Sequence, residues 1–93
     1  MFAVNEYFDG KVKSIAFNPG EDKATVGVMA EGEYEFSTNC VEHMTLVSGL
    51  MSVMLPGASE WRKIAINEMF VVEADVVFKV KIDAESAYLC LYK

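Results

Sequence analysis

The strictest constraint on this chain is an alternation of period two through Val26 to Leu55, VGVMAEGEYEFSTNCVEHMTLVSGLMSVML. In Glu33-Tyr34-Glu35-Phe36-Ser37-Thr38, carboxylates and a hydroxyl occupy one face, while Tyr34, Phe36 and Thr38 occupy the other. Such a pattern fits a half-buried strand and cannot be laid on a helix. Two runs follow, Glu42 to Gly49 and Leu50 to Leu55. The Ser48-Gly49 dipeptide between them predicts a tight hairpin. Gly32 marks an earlier corner.

Short apolar runs with turn signals continue on both sides. Lys11–Phe17 and Lys23–Met29 read as strands around the loop Asn18-Pro19-Gly20-Glu21-Asp22, and Asn5 to Gly10 reads as a leading segment that ends in an Asp-Gly turn. Gly27 suggests a bulge or a close backbone approach. Beyond Leu55, Pro56-Gly57-Ala58-Ser59 predicts a turn, and strands are expected at Trp61–Ile66, Met69–Val72, Val76–Ile82 and Ala87–Tyr92. About eight or nine short strands without a convincing helix imply an all-β, single-domain antiparallel barrel of jelly-roll type spanning residues 1–93.

Composition narrows the function classes. The chain has 93 residues, of which 53% are hydrophobic, and a net charge of −6. No apolar run approaches the roughly 20 residues of a membrane-spanning helix, and an acidic surface argues against a nucleic-acid partner. The N-terminus lacks a basic segment followed by an apolar core, so no signal peptide and a cytoplasmic location are expected. The two cysteines, Cys40 and Cys90, are then expected as reduced thiols, Cys90 as a buried one between Leu89 and Leu91. The lone histidine, His43, follows Glu42 and on a strand points to the opposite face, which disfavours a hydrolytic triad.

Cupin barrels carry a first motif that ends in a glutamate, six residues and a glycine, the spacing of Glu42 to Gly49. Their metal-binding histidines would align near Phe36 and Thr38, and a later one at Phe78. None of these is a histidine, so a metal-free cavity lined by Phe36, Thr38, Glu42 and Phe78 is expected. Aromatic walls with one carboxylate suit a flat heterocycle joined to a sugar. The same rings, Phe36, Phe70, Phe78, Tyr88 and Tyr92, would also serve as the plain filling of a small barrel. Glu42 weighs more, because an inward carboxylate needs a partner or a ligand.

Several blocks together resemble the bacterial pyrimidine/purine nucleoside phosphorylase family. They are Asn5-Glu6-Tyr7-Phe8, Gly10 to Ile15, Val26 to Met29, Glu31 to Tyr34, Phe36-Ser37-Thr38, Glu42 with Met44-Thr45, Ser48-Gly49, Leu55-Pro56, Trp61, and Tyr88-Leu89-Cys90 with Tyr92. The resemblance runs from end to end. It implies a small cupin-like barrel, a homodimer needing no cofactor, that cleaves purine and pyrimidine nucleosides with inorganic phosphate to free base and ribose 1-phosphate. On matching positions, the expected roles are Glu42 or Glu33 as the catalytic carboxylate at the ribose hydroxyls, Tyr34, Phe36, Phe70, Phe78 and Tyr88 as walls, and Lys13, with the hydroxyls of Ser37 and Thr38, at phosphate. Alternation also admits an outward orientation for Lys13 and Glu33. The chain departs from the family pattern at Val72-Glu73-Ala74 and at Leu91, where some members carry arginine. That second departure motivates an alternative, a non-catalytic cupin-like protein that binds a nucleoside.

Overall fold

A computed structural model describes residues 1–93 as eight strands joined by antiparallel ladders. They are β1 (Val4–Tyr7), β2 (Val12–Phe17), β3 (Lys23–Met29), β4 (Gly32–Ser37), β5 (Glu42–Met54), β6 (Arg62–Ile64), β7 (Met69–Val72) and β8 (Val77–Tyr92). No helix is long and apolar enough to cross a membrane.

Two long strands, β5 and β8, form the spine and pair from Glu42 opposite Tyr92 to Met54 opposite Lys79. The first half of β8 takes β4 on its free edge, and the second half takes β3, which continues to β2 and β1. On its other edge β5 takes β7 along its beginning and β6 along its end. The spine is irregular between Leu46 and Met51, where its register shifts three times. Bulges bend and twist a ladder. Inward side chains from both halves thus meet in one core, which includes Val12, Met29, Leu46, Met51, Ile64, Phe70, Val80 and Ile82.

This spine corrects the expected hairpin. Ser48-Gly49 is not a turn but the bulge inside one continuous strand, β5. Gly49 does adopt a positive φ, +106°, but the chain then continues forward. The hydroxyl of Ser86 accepts a hydrogen bond from the Leu50 N–H at 3.1 Å and donates to the Ala84 carbonyl at 2.7 Å. It occupies a position where the ladder is interrupted. Similarly, the break expected between Ile82 and Ala87 is absent, and β8 runs through Asp83 to Ser86. Asn5 to Tyr7, read as a leading segment, belongs to β1, which pairs with β2 before the turn at Phe8 to Gly10.

The fold is all-β and antiparallel, as expected. No ladder joins β1 to another outer strand, so the sheet is open rather than a closed barrel of hydrogen bonds. Aromatic side chains span part of the opening. Phe8 packs on Tyr34 and Phe36 with ring centroids 5.1 and 5.6 Å away.

Candidate active site

The inward faces of β2, β3, β4, β5 and β8 surround a half-open cavity of about 200 Å³. Its walls include Phe36, Phe78, Tyr88 and Tyr92, with Met29, Met44 and Tyr7 completing the apolar lining. Strand pleating selects them: Tyr88, Cys90 and Tyr92 stand two residues apart on β8, as do Glu42 and Met44 on β5. Phe36 and Phe78 are register partners on β4 and β8, and their rings lie 5.7 Å apart at 32°. Gly27 is what lets Tyr88 lie against β3. A Cβ there would stand 2.7 Å from the Lys13 carbonyl oxygen and 2.8 Å from the Tyr88 hydroxyl.

Glu42 is the ionisable carboxyl in this lining. Burial raises its pKa above the ordinary 4.5, against the opposing pull of one hydrogen bond, in which the Cys90 thiol donates to Oε1 at 3.6 Å. Cys90 itself is pushed up to about 12, by burial first and by the Glu42 charge second. It is therefore a neutral donor at physiological pH and a poor nucleophile. Burial raises Tyr88 to about 12, opposed by the Ser14 hydroxyl, and Tyr92 is raised as well. Both phenols stay protonated and can donate. The cavity thus combines aromatic faces, neutral hydroxyl donors and one poorly solvated carboxyl.

Of the expected site residues, Glu42, Phe36, Phe78, Tyr88 and Ser37 come together here. The others do not. Lys13 points to the outer face of β2, where Nζ pairs with Glu6 at 3.1 Å, because its neighbours Val12 and Ser14 take the buried positions. Glu33 is exposed on the outer face of β4, beside Trp61 and Lys79. Phe70 is buried in the core away from the cavity lining. Tyr34 is buried too, its hydroxyl donating to the Ala30 carbonyl at 2.7 Å. Thr38 donates to the Glu73 carbonyl at 2.6 Å and accepts from the Val76 N–H at 3.1 Å, pinning the turn that leads into β8. Of the four residues expected around a metal-free cavity, only Thr38 lies outside it.

Tyr7, Ser14, Met29, Met44, Cys90 and Tyr92 were not assigned to the site from the sequence, although they line it. A signal existed for two of them, since Cys90 and Tyr92 share the parity of Tyr88. Tyr7 had none, because its strand was not expected.

A family model described as pyrimidine/purine nucleoside phosphorylase matches residues 2–92. A protein of that name from Pseudomonas entomophila is 56% identical over 93 residues, which is 100% of this chain and 99% of that one. Among solved structures, a protein of unknown function from Vibrio parahaemolyticus is similar with a TM-score of 0.96 at 39% identity, covering 100% of this chain and 99% of that one. The cupin domain of an XRE-family transcriptional regulator from Enterobacter cloacae is similar in fold, with a TM-score of 0.72 at 14% identity over 87% of this chain and 94% of that one.

Proposed function

Because the chain belongs to the pyrimidine/purine nucleoside phosphorylase family, we propose that the Glu42 cavity is the nucleoside site of a phosphorylase of broad specificity. The reaction is cleavage of purine and pyrimidine ribonucleosides by inorganic phosphate to free base and α-D-ribose 1-phosphate. The observation that carries this reading is the half-buried Glu42 carboxyl, its pKa raised by burial, in one cavity lining with the rings of Phe36, Phe78 and Tyr88.

Leaving of the base develops positive charge at C1′ and the ring oxygen. A fixed carboxylate in a weakly solvated site stabilises that charge more than it stabilises the neutral substrate, which is the condition for catalysis. The same oxygens accept from ribose hydroxyls and orient the sugar. Phe36 and Phe78 offer faces to the base, and stacking is indifferent to base identity because every base has a π-face. That suits a broad substrate range. At about 200 Å³ the cavity is smaller than the roughly 300–1,000 Å³ of sites that enclose a whole ligand, so part of the nucleoside extends beyond it.

The non-catalytic alternative rested on Leu91 standing where some relatives have arginine. Leu91 lies between Cys90 and Tyr92 on β8 but is absent from the cavity lining they share, so arginine at this position would start from the other face. Incubation of the purified protein with uridine or adenosine, with and without inorganic phosphate, is expected to release free base only when phosphate is present. Folded protein that releases no base under either condition would remove the phosphorylase reading in favour of nucleoside binding.

In this reading the open sheet functions as a barrel completed by the Phe8, Tyr34 and Phe36 rings, and the molecule is a homodimer. Exposed Ile15, Val26, Val28, Val47, Met69 and Val71 support the dimer. Ladder register places Ile15, Val26 and Met69 in one row across the outer face of β2, β3, β8, β5 and β7. On a chain of net charge −6, so apolar a face is where two copies can approach. Light scattering on a sizing column is expected to give twice the chain mass, falling to a single chain in Val28→Glu. A wild-type protein that elutes as one chain would exclude the dimer.

A further inference from the structure

The Glu42 cavity contains no lysine or arginine, yet the proposed second substrate is an anion arriving at an acidic protein. Most of the cations are otherwise placed. Lys13, Arg62 and Lys93 are in ion pairs with Glu6, Glu68 and Asp22, and Lys81 lies 5.8 Å from the centre of the Trp61 ring. Lys79 borders the outer hollow of Glu33 and Glu35, and Lys11 opens onto an outer groove that Lys13 also lines, together with Val28, Ala87 and the acidic Glu85. Lys63 is exposed on β6 and lines neither of these hollows nor the Glu42 cavity.

Lys23 is different. It lines a second hollow, of about 420 Å³, together with Asn5, Asn39 and Thr25, and it is in none of the ion pairs. Tyr7 and Tyr92 line both this hollow and the Glu42 cavity, so they form the boundary between the two. Lys23 is the register partner of Tyr92 across β3 and β8, and the Tyr92 hydroxyl is 3.1 Å from Thr25 Oγ1. Residues bearing an ammonium, two side-chain amides and a hydroxyl, Lys23, Asn5, Asn39 and Thr25, therefore line one side of the Tyr7/Tyr92 boundary, with Glu42, Phe36 and Phe78 lining the other.

We propose that this second hollow is the phosphate subsite of the phosphorolysis, with Lys23 as its cation and Asn5, Asn39 and Thr25 as neutral donors. This rests on the phosphorylase reading of the Glu42 cavity and replaces Lys13, Ser37 and Thr38 as the phosphate ligands. A phosphate dianion needs charge-assisted donors, and Lys23 supplies the one full positive charge of this lining. Distance from Glu42 also matters, because carboxylate and phosphate repel one another and each would weaken the other in a single small cavity. With ribose C1′ held at the boundary, a phosphate oxygen forms the new bond to C1′ while the C1′–N bond breaks. Its electron pair leaves with the base nitrogen, and the proton of the hydrogen phosphate ends on the base anion by way of water. Atoms and charge balance without a further reactant.

The test is Lys23→Ala, assayed with inorganic phosphate as the varied substrate. The expected result is a KM for phosphate raised about tenfold or more, the loss usual for one charge-assisted contact. The KM for the nucleoside should move less than about twofold, and Lys23→Arg should recover most of the difference. Lys13→Ala, a change on the outer face, should leave both constants unaltered. An unchanged phosphate KM in Lys23→Ala overturns the subsite, and so does an equal rise in both constants. Broadening of the ³¹P signal of inorganic phosphate on titration with protein reads binding without turnover. Wild-type broadening lost in Lys23→Ala supports the subsite even when no nucleoside is cleaved, in which case only the phosphorylase reading fails. Equal broadening by both proteins, or by neither, overturns it.

Discussion

Glu42→Gln is expected to lower kcat about 100- to 1,000-fold while leaving the protein folded and, near neutral pH, somewhat more stable. The kinetic part follows from what the carboxylate does. In the proposed reaction it meets positive charge that is present in the transition state and absent from the substrate, and removing one such preorganised group typically has an effect of that size. Glutamine keeps the shape and one acceptor oxygen, so the Cys90 thiol retains a partner and the nucleoside KM should change far less than kcat.

The stability part follows from the direction of the pKa shift. Burial raises Glu42 above 4.5, which means that the folded state holds its proton more tightly than the unfolded chain does. A raised pKa contributes stability that is complete below the unfolded value and is lost as pH rises through the folded one. Wild-type stability relative to Glu42→Gln should therefore fall across a window beginning near pH 4.5 and extending above it. In the proposed mechanism the same ionisation generates the anion that assists departure of the base, so the acid limb of the wild-type kcat/KM profile should lie above the ordinary carboxylate range and vanish from the residual activity of the variant. Denaturant melts of both proteins between pH 4 and 8, beside rate profiles, check the two limbs together. A variant that retains more than about a third of wild-type kcat would remove Glu42 from catalysis.

Much of the fold could be read in advance because the alternation is local. Tyr34, Phe36, Phe78 and Tyr88 point inward by parity alone, and the turns at Pro56-Gly57, Asn67-Glu68 and Ala74-Asp75 lie where glycine, asparagine and aspartate tolerate positive φ. Ser48-Gly49 shows where local reading stops. A two-residue hairpin turn and a glycine bulge can both hold a residue at positive φ, and the partner that decides between them is Ser86, 36 positions from Leu50 in sequence. Asp83 to Ser86 misleads for a related reason, since its polar residues lie at the bend of the spine rather than in a connection.

The candidate site is partly legible on the same terms. Glu42, Phe36, Phe78 and Tyr88 each lie on a strand whose parity is unambiguous. Parity also places Lys13 outside the cavity, since Val12 and Ser14 are the inward residues of that strand. Thr38 does point inward, but its hydroxyl is consumed by backbone groups at Glu73 and Val76, a demand that no local pattern announces. Tyr7 and Lys23 could not be placed before the ladders β1–β2 and β3–β8 were known, because the hollow they share exists only between those strands.

Gly49→Ala is expected to destabilise the protein by about 2–6 kcal/mol. Two independent terms add. An L residue at φ +106° is strained by about 1–3 kcal/mol. A Cβ at this point would also stand 2.6 Å from both the Glu85 carbonyl oxygen and the Ser86 Cα, atoms of the neighbouring strand that cannot rotate away. Overpacking of this kind adds about 1–3 kcal/mol. Relief requires β5 and β8 to separate where Ser86 receives the Leu50 N–H, so that hydrogen bond is lost as well. Gly57→Ala separates the terms, because Gly57 has φ +84° and no atom within 4 Å of its would-be Cβ, leaving strain alone. For a domain of this size each kcal/mol shifts Tm by about 4–8 °C, so Gly49→Ala should melt more than about 10 °C below wild type and well below Gly57→Ala. Ser86→Ala combined with Gly49→Ala should be less than additive, since the two changes disturb one contact. If Gly49→Ala and Gly57→Ala melt together, the approach of the two spine strands at the bulge is not what demands glycine, and the bend must be set elsewhere in the ladder.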